Sequence, residues 1–348
     1  MRGTSGLCYG QKPEGYLTMS APLDNRRDGM RMPATREKIR FASGTTECAA
    51  WHYPGTNGGC VIMAGGFAVT RGPGTDPFAE RFADAGFTVL AFDHRRLGDS
   101  GGRPRQVVRI KDELADWRAA IEFAATLPGV DPDKLALWGF SLSGGHVLQI
   151  AASDRRVAAA IAQTPNADCR AIVRNAARHQ TPLAMLRLTA LSVLDALGGL
   201  LGRPPLLIPL NGKPGSVAFL TTPDAQDTDE ALNPGNRYPD WQQVAAARFS
   251  LRLGFYRPGR HASRIQCPLL VLVCDQDTSA LAAPAVAAAD RAIHAELFRL
   301  PGGHYQPFLS GHEQAVAAEL SFLSRHLLDQ PSAGPAGTTA SSAVQRPE

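Results

Sequence analysis

Gly139-Phe140-Ser141-Leu142-Ser143 sets a serine between a short apolar strand over residues 135–138 and a helical stretch. A serine on so sharp a strand-to-helix turn holds a strained backbone, and small residues two before and two after it relieve the clash. Gly139 and Ser143 fill those places, which is the nucleophile-elbow pattern with serine where glycine is commoner. A serine hydroxyl attacks poorly until a base takes its proton. In this arrangement the acid and then the histidine follow the serine along the chain. Downstream, an apolar strand over 268–273 ends in Cys274-Asp275-Gln276-Asp277-Thr278, and a strand over 295–300 ends in Pro301-Gly302-Gly303-His304-Tyr305. A histidine behind two glycines packs poorly and reaches far. The pattern makes Ser141 the candidate nucleophile, His304 the base and then acid, and Asp277 the residue that orients the imidazole. Asp275 is the rival acid. An anionic tetrahedral intermediate also needs donors. The candidates are the backbone N–H of Leu142, next to the serine, and that of Phe67, behind Gly65-Gly66 and a strand over 60–64.

Other motifs are weaker. Gly98-Asp99-Ser100-Gly101-Gly102 spells a protease motif, but it follows a buried strand in an α/β rhythm and reads as a structural turn; Ser100 stays the fallback nucleophile. His312-Glu313 begins a zinc motif, yet Val316 stands where the second histidine belongs. No GxxxxGK[ST] or GxGxxG loop is present. Neither a metal nor a cofactor is therefore expected. His52, His146, His179, His261, His294 and His326 lack ligand spacing and read as packing or surface residues.

The elements that must position these groups alternate. Strands are expected over 38–42, 48–53, 60–64, 87–92, 134–138, 157–162, 268–273 and 295–300. Helices are expected over 77–85, 111–127, 146–152, 284–293 and 313–328. Such alternation predicts an α/β fold, a mostly parallel central sheet with helices on both faces. The rhythm fails over 165–265, which reads as a helical lid inserted into a core of residues 36–164 and 266–328. Its leucines, among them Leu183, Leu186, Leu194, Leu200 and Leu201, either line an acyl pocket or pack lid helices onto the sheet. Residues 1–35 read as a flexible leader, with Met19, Met30 and Met32 as alternative starts, and 331–348 as a disordered tail.

Composition excludes several classes. Of 348 residues 44% are apolar and 20% charged, so the chain has enough apolar material for a large core. A net charge of +4 is too small and too dispersed for a nucleic-acid partner. Six scattered cysteines without a CxxC pair suggest a reducing, cytoplasmic compartment. The most apolar stretch, 182–201, carries Arg187 and Asp195 near its middle, which speaks against a membrane span. The expected partner is a small-molecule acyl substrate, with neither nucleic acid nor membrane.

Taken together, AGGF at 64–67, DHRRLGDSGG at 93–102, LPGVDPDKLALWGFSLSGG at 127–145, CDQD at 274–277 and GGHY at 302–305 resemble the α/β-hydrolase superfamily over about residues 36–328. Within it the chain resembles serine esterases related to the Xaa-Pro dipeptidyl-peptidase group and the polyketide transferases of fungal pathways. The resemblance implies an α/β-hydrolase fold and a triad of Ser141, Asp277 and His304. It departs at Gly65, where many relatives carry histidine, and at Ser143. The expected activity is hydrolysis of an ester or thioester of a hydrophobic acyl group. Acyl transfer from a polyketide-type thioester is one alternative, and a non-catalytic binding protein on the same fold is another.

Overall fold

The computed structural model describes residues 35–328. The expected leader, apart from its last residue, the expected tail and Cys8 lie outside them. One eight-stranded sheet runs in the order β1-β2-β4-β3-β5-β6-β9-β10. Its strands are β1 (Glu37–Ser43), β2 (Thr46–Tyr53), β3 (Cys60–Ala64), β4 (Thr88–Phe92), β5 (Leu135–Phe140), β6 (Val157–Gln163), β9 (Leu269–Cys274) and β10 (Ala295–Leu300). β2 pairs antiparallel with β1 and β4, and every other pairing is parallel.

The central strands are continuous apolar runs because both their faces are covered. Side chains alternate between the faces. On β5, Ala136, Trp138 and Phe140 join a cluster with Phe78 and Phe82 of α1 (Arg71–Asp84) and Phe322 of α9 (His312–Leu323). Leu135 and Leu137 face the other way, toward α2 (Ile110–Ala124), α3 (Leu142–Ala151) and α8 (Ala282–Ala289). There Trp117 packs edge-on to Phe92 with 5.1 Å between ring centres.

Two helices begin earlier than the sequence predicts. α1 starts at Arg71 rather than residue 77, running through Gly72-Pro73-Gly74, and α3 starts at Leu142 rather than residue 146. Glycine disfavours helix intrinsically, but tertiary contact overrides that. A Cβ on Gly74 would stand 2.7 Å from the Gly65 Cα, and one on Gly145 would stand 2.8 Å from the Asn166 carbonyl oxygen. Only glycine lets these helices lie so close to the neighbouring backbone.

The segment between β6 and β9 is not wholly helical, in contrast to the helical lid expected over 165–265. It holds α4 (Cys169–Ala176), α5 (Pro182–Leu200), α6 (Thr228–Leu232) and α7 (Ser250–Leu253), and also an antiparallel ribbon of β7 (Leu207–Pro209) with β8 (Val244–Ala246). The proline-rich run before β7 leaves the ribbon as its structured option. α5 opens with Thr181 capping Ala184 N–H and Pro182 in its first turn. Asp195 ties the helix down: its carboxylate accepts from Leu206 N–H at 2.7 Å, from Arg248 N–H at 2.8 Å and from two guanidinium nitrogens of Arg248, each at 2.7 Å. Replacing Asp195 by Ala strands Arg248 and two backbone donors, and breaking such a pair costs about 3 kcal/mol. Thermal unfolding of Asp195→Ala should show a Tm lowered by several degrees, with earlier proteolytic cleavage in residues 200–210. An unchanged Tm and cleavage pattern would show that the pair does not hold the helix.

Candidate active site

The turn after β5 carries Ser141 at φ 56° and ψ −114°, a conformation that non-glycine residues rarely adopt. Its backbone is fixed at both ends: Ser141 N–H donates to the Gln163 carbonyl at 3.0 Å, and its own carbonyl accepts from Gly145 at 3.1 Å and Asn166 at 2.9 Å. A Cβ on Gly139 would stand 2.4 Å from the Ser143 carbonyl oxygen, so glycine is obligatory there. Ser143, the departure from the usual glycine, is buried, and its hydroxyl lies 3.4 Å from His94 Nε2.

From the turns after β9 and β10 come the partners. Ser141 Oγ is 3.0 Å from His304 Nε2, and His304 Nδ1 is 2.8 Å from Asp277 Oδ2. The other Asp277 oxygen accepts from the backbone N–H groups of Ser279 at 2.9 Å and Ala280 at 2.7 Å, which aims the first oxygen at the imidazole. Asp275, the rival acid, pairs instead with Arg299 at 2.6 Å on a half-exposed surface.

Gly66 lies against the serine: a Cβ there would be 3.1 Å from the Ser141 Cβ. Neither the Phe67 nor the Leu142 N–H meets a backbone acceptor among the described residues, Leu142 being the first residue of α3. The insertion holds this loop in place. The Phe67 ring stacks on Phe249 with 4.4 Å between centres, and Trp241 Nε1 donates to the Ala68 carbonyl at 3.0 Å. Leu210, Leu220 and Trp241 from the insertion, with Phe67, Phe140 and Tyr305, line a mainly apolar cleft over Ser141. The α5 leucines do not line it: Leu183, Leu186, Leu194, Leu200 and Leu201 are exposed. These five fill neither of the roles expected from sequence, whereas Leu188 and Leu191 of the same stretch are partly buried.

One residue had no signal in the sequence. Asp224, in a polar loop of the insertion, is buried beside the histidine. Its carboxylate accepts from Thr278 N–H at 2.7 Å, the Ser279 hydroxyl at 2.7 Å, Ser279 N–H at 3.2 Å and His304 N–H at 3.2 Å. It thus joins the acid turn to the histidine turn. Burial opposes its ionisation, but the His304 charge and the bonds from Thr278 and Ser279 outweigh this and hold its carboxyl below the usual range. Burial likewise disfavours protonation of His304, and the neighbouring Asp277 and Asp224 carboxylates outweigh it, raising the imidazole above its ordinary value.

Beneath the elbow lies a second polar cluster. His94, Glu113 and His146 are buried, with ligand atoms within 4.8 Å of one another, a set able to hold a metal ion. In this structure His146 Nε2 meets Glu113 Oε2 at 2.9 Å and His146 Nδ1 meets the Tyr256 hydroxyl at 2.8 Å, whereas His94 bonds neither: its Nε2 reaches the Ser143 hydroxyl at 3.4 Å and its buried Nδ1 has no hydrogen-bond partner among the described residues. Burial lowers the His146 pKa. Asp116 sits alongside, its carboxyl held down to about 2; burial works against this, but His94, Arg95 and Ser43 outweigh it. No spacing rule links positions 94, 113 and 146. The protease-like turn is structural: buried Ser100 donates to the Asp93 carbonyl at 2.6 Å and accepts from Ala49 N–H at 2.8 Å. Cys48, Cys60, Cys169, Cys267 and Cys274 are all free thiols.

A sheet of this order, with serine, acid and histidine in that chain order on the turns after β5, β9 and β10 at its carboxyl edge, is the arrangement of an α/β hydrolase. Residues 56–218 match the family described as serine aminopeptidase, S33. A quorum-quenching protein of Acinetobacter baumannii is 36% identical over 299 residues, 84% of this chain and 96% of that one. A polyketide transferase of Aspergillus fumigatus is 36% identical over 168 residues, 47% of this chain and 54% of its own length. A thiohydrolase of Aspergillus aculeatus is 38% identical over 109 residues, 31% and 34% of the two chains. Among solved structures, the α/β hydrolase GrgF from Penicillium sp. sh18 superposes with a TM-score of 0.72 at 23% identity, over 84% of this chain and 99% of that one. The chain belongs to the α/β-hydrolase superfamily of enzymes.

A base must be neutral to accept a proton, so kcat/KM should rise with pH through the His304 pKa, at a midpoint above the ordinary value of about 6.5. Asp224→Asn removes one of the two carboxylates that favour the imidazolium. The acid limb should move to lower pH, by roughly half a unit to one unit. A lower kcat at an unmoved midpoint would assign Asp224 a purely architectural role.

Proposed function

We propose that the protein is a serine hydrolase that cleaves an ester or thioester of a hydrophobic acyl group through an acyl-enzyme on Ser141. The observation that carries this reading is the continuous hydrogen-bond chain from Ser141 Oγ through His304 to Asp277, at 3.0 and 2.8 Å. Ser141 Oγ bonds to the substrate's carbonyl carbon while His304 Nε2 takes its proton, and the carbonyl electron pair moves onto oxygen. The backbone N–H groups of Phe67 and Leu142 receive that oxyanion. As the tetrahedral intermediate collapses, the bond to the leaving alkoxide or thiolate breaks, and His304 returns the proton to it. Asp277 keeps the imidazole oriented and stabilises its charged form. Water, deprotonated by the same His304, then attacks the acyl carbon; as the bond to Ser141 Oγ breaks, His304 returns the proton to Oγ, releasing the acid and Ser141. The lining of the cleft over the serine is mainly apolar, which supports an apolar group next to the reacting carbonyl, but its volume of about 20 Å³ sets no chain length.

Transfer of the acyl group to an alcohol or amine in place of water is the second reading. It is favoured by relatives named as polyketide transferases, beside others named as thiohydrolases. The near full-length relative named for quorum quenching adds loss of a diffusible signal to the assays of interest.

A fluorophosphonate probe should label Ser141 in the intact protein, and Ser141→Ala should abolish labelling and lower turnover by about 10⁴-fold or more. Labelling elsewhere, or an Ala variant that keeps its turnover, would overturn the assignment. Assays over acyl-chain length with open and cyclic esters, thioesters and amides, with and without added alcohol, separate hydrolysis from transfer.

A further inference from the structure

α5 is amphipathic with its faces reversed. The stripe turned inward is Ala184, Leu188, Ser192 and Asp195, three of them buried and Leu188 partly so. The stripe turned to solvent is Leu183, Leu186, Leu194, Leu197 and Leu200, at helical spacing, with Leu186 at 66% and Leu200 at 84% exposure. Mean hydropathy over an 18-residue window of the helix is 1.5, yet only 17% of that window is buried. Phe255, 85% exposed, extends the apolar face across a cleft that it lines with Leu200 and Leu251, whose charged lining is Arg109, Lys111 and Arg252 with Arg248 and Asp112, the last two paired with Asp195 and Arg96. A contiguous apolar face of this size on an otherwise well-packed protein marks a surface that something covers.

Charge decides what covers it. Between residues 169 and 223 the exposed side chains include Arg170, Arg174, Arg178, Arg187, Arg203 and Lys213, none paired among the described residues. The only acidic side chain in that segment, Asp195, is buried and neutralised by Arg248. A second copy presenting the same face would bring cations against cations. An anionic surface is attracted by all of them, and an apolar helical stripe flanked by arginines is the form in which a helix lies in a lipid interface.

We propose that the outward face of α5, with Leu251 and Phe255, docks the protein on an anionic lipid bilayer. The helix lies in the headgroup plane and does not span. Asp195, which speaks against a span from sequence alone, points away from this face and does not oppose docking. The proposal does not rest on the chemistry assigned to Ser141.

Sedimentation of the full-length protein with vesicles tests it, using phosphatidylcholine alone and an equal mixture with phosphatidylglycerol. Partitioning should be at least tenfold stronger on the anionic vesicles and should fall steeply between about 0.05 and about 0.5 M salt. Arg187→Gln should weaken it about fivefold, the effect expected of one surface cation. Leu194→Asp/Leu197→Asp should abolish it with the Tm unchanged. Because the main measurement uses the unmodified protein, a variant that fails to fold does not decide the outcome. Absence of binding to anionic vesicles would overturn the proposal. So would equal binding to both vesicle types, or a lipid-free dimer in analytical ultracentrifugation that Leu194→Asp/Leu197→Asp dissociates.

Discussion

The backbone of Ser141 is the constraint on which the rest turns. A serine at φ 56° stores on the order of 1–3 kcal/mol and persists only where its surroundings over-determine it. Here the N–H and carbonyl are both bonded to neighbouring turns, and a missing Cβ at position 139 leaves room for the bend. The reward for that strain is a hydroxyl lifted off the sheet edge toward His304, with the Leu142 N–H beside it. The parallel strands below, buried on both faces, make the platform stiff enough to hold it.

The insertion between β6 and β9 acts on the site from three sides. Asp224 bonds the acid turn to the histidine turn. Phe249 and Trp241 grip the loop that carries Phe67, and Leu210 and Leu220 help to roof the cleft. This segment therefore touches the turns that carry Asp277 and His304 and the loop that carries Phe67. α5, in the same segment, presents its apolar side outward and is tied through Asp195 to Arg248, next to Phe249.

Under the elbow, the network of His94, Asp116, Arg95, Glu113, His146 and Tyr256 does different work. Buried polar groups must find partners or pay desolvation in full. His146 finds Glu113 and Tyr256, and Asp116 finds Arg95, while His94 reaches up to Ser143 at 3.4 Å and leaves its Nδ1 without a hydrogen bond among the described residues. Ser143, two residues after Ser141 where glycine is usual, is thus part of the support of the turn.

Much of this was legible in the amino-acid string, for local reasons. Apolar runs of strand length, glycines at a forced bend and a histidine behind two glycines are properties of short segments, and they determined the sheet, the elbow and the order of serine, acid and histidine. The choice of Asp277 over Asp275 was only half legible, since two carboxylates two residues apart differ by which one faces the imidazole and which one Arg299 takes. Asp224, the His94–Glu113–His146 cluster and the early starts of α1 and α3 were decided by tertiary structure alone. Each depends on groups far apart in sequence, or on how near one backbone passes to another, and no local pattern encodes that distance. The outward turn of the α5 leucines belongs with them: hydrophobicity marks a residue as one that prefers burial, but only the packed structure shows which side of the helix its neighbours have left uncovered.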